Sequence, residues 1–87
     1  MGSINSTTIL KILRTVTNYP NRNIRKVTSL AHLSYSYTHK VIRDLVKEGM
    51  LDVQSNNRER LLSITTKGIS LHTHLRMAHE LFSFRVV

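Results

Sequence analysis

The sequence predicts a mainly α fold with one small β-hairpin (α+β), in the order α-α-α-β-β-α, forming a single domain over residues 1–87. Three observations predict it. Apolar residues recur at helical spacing in four segments. Between residues 51 and 64 the period drops to two, as in a half-buried hairpin. The one proline and Gly49 fall between these segments rather than inside them.

The first segment, Ser6–Asn18, places Ile9, Ile12, Leu13 and Val16 on one face, with Lys11 and Arg14 opposite. Pro20 ends it, since proline removes a backbone donor and clashes with the preceding turn. Leu10 falls off the buried face and is expected to meet a partner. Asn23 is a good N-cap for a short second helix, Ile24–His32, with Ile24, Val27 and Ala31 on one side. Arg22, Arg25 and Lys26 crowd its start, where the helix dipole disfavours cations unless a phosphate binds among them. The alternative there is plain surface charge.

Leu33-Ser34 then forms the short connection that a pair of crossed helices requires. The third helix is expected over Tyr35–Glu48, N-capped by Ser34 and closed by Gly49. At about 100° per residue, Thr38, Val41, Ile42, Leu45 and Val46 gather on one side with Tyr35 beside them. Ser36, Lys40, Arg43 and Lys47 form a basic, hydrogen-bonding stripe opposite, with His39 at its edge. A helix about 21 Å long with this division suits reading of a major groove. Solvation of an exposed face is the plainer account of the same stripe.

Leu51 and Val53 alternate with Asp52 and Gln54, Asn56-Asn57 supplies a turn, and Leu62 and Ile64 return. The hairpin tip carries Asn57, Arg58 and Arg60, cations suited to a DNA backbone or minor groove, or simply to guarding a sheet edge. The last helix starts at Thr65 or Thr66 and runs to residues 82–84. Within residues 66–84, Leu71, Leu75, Ala78 and Phe82 make a narrow seam suited to a second copy of the chain. The apolar end, Phe82 to Val87, extends the same expectation of a homodimer.

Thirteen Lys and Arg against five Asp and Glu leave a net charge of +8 and a pI near 10.7. That balance calls for a polyanionic partner, nucleic acid or an acidic membrane surface. No apolar run approaches the roughly 20 residues of a membrane span, and no charged-then-apolar leader opens the chain, so a cytoplasmic, nucleoid-associated protein is expected. With no cysteine, disulfides and thiol chemistry are excluded. The histidines, His32, His39, His72, His74 and His79, include no i, i+4 pair and no completing carboxylate, so no metal site and no cofactor are expected. No glycine-rich phosphate loop, carboxylate pair or activated nucleophile supports catalysis. RNA recognition is expected to lack exposed aromatic platforms.

Three blocks carry a resemblance: Leu30-Ala31-His32-Leu33-Ser34-Tyr35, then Leu45-Val46-Lys47-Glu48-Gly49-Met50-Leu51, then Leu62-Ser63-Ile64-Thr65-Thr66-Lys67-Gly68. In order and spacing they resemble winged helix-turn-helix regulators of the MarR and PadR kind. In layout they are similar to small archaeal winged-helix regulators and chromatin proteins that dimerise through a C-terminal helix. The resemblance covers about residues 8–82. It implies that residues 35–48 are the recognition helix and 53–62 the wing. The groove-facing residues it implies are Ser36, Tyr37, His39, Lys40 and Arg43, with Arg58 and Arg60 on the wing. The tip, Asn56-Asn57-Arg58-Glu59-Arg60, lacks the aspartate-led wing motif of MarR proteins, and no added domain makes room for a sensing pocket. No small-molecule ligand is therefore expected. The resulting expectation is a dimeric regulator of double-stranded DNA, with a sequence-tolerant chromatin protein and a protein–protein adaptor as alternatives.

Overall fold

The computed structural model describes residues 6–86, with side chains described for residues 6–81. Its elements are α1 (Ser6–Asn18), α2 (Ile24–Leu30), α3 (Tyr35–Lys47), β1 (Leu51–Asn56), β2 (Glu59–Ile64) and α4 (Thr66–Val86). The core takes Ile12, Leu13 and Val16 from α1, Val27 from α2, Val41, Ile42 and Leu45 from α3, and Leu51 and Leu62 from the hairpin. α3 buries the face that its apolar spacing defines. Thr38 is also fully buried on α3, its hydroxyl without a hydrogen-bond partner.

α2 is shorter than the expected Ile24–His32. Ala31 caps it, and His32 turns into the left-handed region at φ 57°. The His32 N–H donates to the Ser29 carbonyl (3.1 Å) and the Leu33 N–H to that of Thr28 (3.1 Å), which completes a Schellman closure. A left-handed non-glycine residue costs about 1–2 kcal/mol, offset here by those bonds and by Leu33 packing against the core. α3 ends the same way one residue before Glu48. Gly49 takes φ 81°, with N–H bonds from Gly49 to Val46 (3.0 Å) and from Met50 to Leu45 (2.8 Å). Ser34 precedes α3, but its side chain makes no capping bond.

β1 and β2 pair antiparallel from Leu51 opposite Ile64 to Asn56 opposite Glu59. The two-residue turn is therefore Asn57-Arg58, one position later than expected, with Asn57 supplying the positive φ of 59°. Arg22 adds a one-residue bridge to β2. The Asn21 N–H donates to the Leu62 carbonyl (3.0 Å), and the Leu62 N–H to that of Arg22 (2.9 Å).

Thr65 caps α4, its hydroxyl oxygen accepting from the Gly68 N–H at 3.0 Å. The same hydroxyl lies 2.6 Å from the Gly49 carbonyl oxygen, and Lys67 donates to the Glu48 carbonyl at 2.9 Å. These contacts tie the start of α4 to the end of α3. Gly68 is buried there, and a Cβ on it would collide with the Met50 carbonyl oxygen.

Two expectations for the last helix and its neighbourhood change. Leu10 is 5% exposed, buried inside its own chain and not available to a partner. The reason is that α1 is flanked by α2, β2 and α4, so more than one of its sides is covered. Leu71 and Leu75 are half-buried against the chain's own core, whereas Ala78 is exposed. The side chain of Phe82, the fourth seam residue, lies outside the described residues, as do those of the tail beyond it. Among the described residues no helix is long and apolar enough to cross a membrane.

Candidate nucleic-acid interface

Inward burial of Val41, Ile42 and Leu45 turns the opposite stripe of α3 to solvent. Ser36, Tyr37, Lys40, Arg43 and Lys47 are all exposed, and His39 is half-buried. The hairpin rises beside this stripe, and the two enclose a groove of about 800 Å³. Its rim carries His39, Lys40, Arg43 and Lys47 from α3 and Arg60 from β2. Its floor is apolar, made by Ile24, Ile42, Val46, Val53 and Leu62. Asp44 is the one acid lining it.

Five of the sequence-derived candidates thus share one groove. Arg22, Arg25, Lys26, Ser36, Tyr37 and Arg58 are exposed outside its lining, although Ile24 brings the start of α2 to its edge. A hydrogen bond from Asn23 Nδ2 to Glu59 Oε1 (3.1 Å) joins the start of α2 to the wing. Asn23 caps α2 as expected, its Oδ1 accepting from the Lys26 N–H at 2.8 Å, so that N–H is not open to a phosphate. The Arg25 and Lys26 side chains are exposed there.

Among the described residues the one ion pair is Arg76–Glu80, at 3.4 Å along α4. The groove cations therefore form no ion pair among the described residues, and with Asp44 as its one acid the groove keeps a positive excess. Neither the apolar floor nor the Asn23–Glu59 link was read from the sequence. Tyr35, placed there beside the buried face, is 48% exposed, with its ring 5.7 Å from that of His39. Tyr37 is 40% exposed, so α3 does carry exposed aromatic rings.

Elsewhere, His72 of α4 stands out. Its Nε2 is buried without a hydrogen-bond partner. Burial first, then the Arg76 and Arg14 charges, holds its pKa below the ordinary imidazole value. No group of three metal-ligating side chains gathers among the described residues.

A helix pair joined by a tight turn, followed by a two-stranded hairpin that flanks the second helix, defines a winged helix-turn-helix fold. No family model matches the chain, and no curated protein matches it either. Solved structures do match. One is Sso10a-2, a DNA-binding protein from Sulfolobus solfataricus, at 28% identity and a TM-score of 0.77, covering 95% of this chain and 90% of that one. Another is BpsR of Bordetella bronchiseptica, whose DNA binding is regulated by 6-hydroxynicotinic acid, at 17% identity and a TM-score of 0.81. MarR of Staphylococcus aureus, solved with salicylate and kanamycin, follows at 16% identity and a TM-score of 0.74. The last two each cover 90% of this chain, which spans 58% of BpsR and 54% of MarR.

Proposed function

We propose that this chain binds double-stranded DNA as a homodimer and acts as a transcriptional regulator. α3 enters the major groove, and the wing, residues 53–62, lies on the backbone or in the minor groove. The observation that carries this is the convergence of Lys40, Arg43, Lys47 and Arg60 on one groove with no carboxylate partner among the described residues. A helix fits a major groove about 12 Å wide, and clustered cations release the counterions condensed on the phosphates. Support also comes from Sso10a-2, a DNA-binding protein similar to this chain over nearly its whole length. The proposed dimer contact is the outer side of α4, where Ile69, Met77 and Leu81 are exposed.

A second reading, a sequence-tolerant coat on DNA, is favoured by the cations outside the groove, Arg22, Arg25, Lys26 and Arg58. One titration separates the two: affinity for a panel of duplexes in excess competitor DNA. A regulator gives a large spread, a coat a flat profile. Arg43→Ala should weaken a preferred site by about 1–3 kcal/mol while barely changing random DNA, because a guanidinium can read guanine O6 and N7. Arg25→Ala should weaken both equally. Equal losses from both variants on every sequence would make Arg43 a backbone contact. No salt-dependent binding to any duplex would remove both readings.

A further inference from the structure

The α3–wing surface carries features that a stacked duplex leaves unused. Tyr35 opens α3 at 48% exposure, and its ring is tilted 44° to that of His39 with centroids 5.7 Å apart. His39 also lines the groove, so the two rings lead from the surface toward its half-buried apolar side chains, Val46 and Val53. Lys40 and Arg43 stand alongside on the rim. In a duplex each base face is covered by its neighbour, and the major groove presents phosphates and base edges whose one apolar group is the thymine methyl. An unpaired strand presents both a charged backbone and bare base faces, the two chemistries that meet here.

We propose that Tyr35, His39 and the groove form a binding site for single-stranded nucleic acid. One base stacks on the Tyr35–His39 pair, a neighbouring base rests on the aliphatic floor, and Lys40 and Arg43 hold the phosphates between them. Stacking on aromatic rings tolerates any base, because every base has a π face. The inference rests on reading this surface as one for nucleic acid, but it uses Tyr35, which the duplex reading does not.

The test compares labelled oligo-dT, oligo-rU and a duplex of equal length by fluorescence anisotropy, with circular dichroism confirming each variant's fold. Tyr35→Ala should weaken the single strands about tenfold or more and the duplex by less than about threefold. Tyr35→Phe keeps the ring and should bind the strands as the unmodified chain does. The chain has three tyrosines and no tryptophan. Single strands should therefore quench tyrosine emission directly, and less in Tyr35→Phe. Tyr35-dependent binding of either strand supports the site, and the tighter of the two indicates whether DNA or RNA is its source. Single strands bound more than about 100-fold more weakly than the duplex would overturn it, as would equal losses on strand and duplex in Tyr35→Ala. Both outcomes leave the duplex reading standing. Failure of strand and duplex alike to bind would remove that reading as well.

Discussion

The α3–wing face and the outer side of α4 expose different kinds of surface. On the first, Lys40, Arg43, Lys47 and Arg60 stand around a groove and form no ion pair among the described residues. On the second, Ile69, Met77 and Leu81 are 51%, 54% and 63% exposed. Solvated cations cost little in water and attract a polyanion, an attraction that salt screens. Exposed apolar side chains favour an apolar cover, and salt has little hold on that. The domain thus offers two chemically distinct surfaces, and a perturbation that moves one should leave the other in place.

The largest expected effect is on the charged face. With about four phosphates per subunit and eight per dimer, log affinity should fall with log salt at a slope of roughly −7. Arg58 and Arg60 changed together to Ala should bring the slope toward about −4, while Lys11→Ala, on the far side of α1, should not move it. A slope that responds equally to Lys11 and to the wing would break the distinction between the faces.

Next in size is the apolar face. Leu81→Glu places a charge where a second α4 would pack, so it should weaken the dimer by about 100-fold or more in sedimentation, with the helical signal retained. Leu75→Glu should lower thermal stability as well, because Leu75 packs on the chain's own core. Sedimentation of the unmodified protein as a monomer at high micromolar concentration would show that α4's outer side needs no second copy.

The junction between the faces comes third. Gly68→Ala drives a Cβ into the Met50 carbonyl oxygen, and backbone cannot step aside as a flexible side chain can. A loss of about 1–3 kcal/mol is expected. For a domain of this size that lowers the melting temperature by at least about 4 °C. An unchanged melting temperature would mean that the α3–α4 junction is loose.

The smallest effect belongs to His72. Its pKa is lowered in the folded chain, so the unfolded chain binds more protons below the ordinary imidazole value near 6.5. Stability from the neutral ring is complete above that value and falls as the pH drops through it toward the folded pKa. The denaturation midpoint should drop from pH 7 to pH 5, and drop less in His72→Phe. Equal drops would place the pH response in the other histidines.

Much of this was legible in the residues themselves. Val41, Ile42 and Leu45 face inward and Lys40, Arg43 and Lys47 outward because a helix repeats every few positions, so neighbours in sequence settle the face. Asn23 and Gly49 punctuate their helices through bonds that reach only three to five residues, and they too could be read locally. The end of α2 could not, because His32 adopts a left-handed turn without the glycine that announces one. Leu10, Leu71 and Leu75 show the deeper limit. When a helix carries apolar residues on more than one side, only the elements packed around it decide which of them stay exposed. Arg60 meets Lys40, Arg43 and Lys47, and Glu59 meets Asn23, across stretches of chain with no shared period. Sequence spacing records what lies a few bonds away; the hairpin's fold back onto α2 and α3 alone brings these groups together.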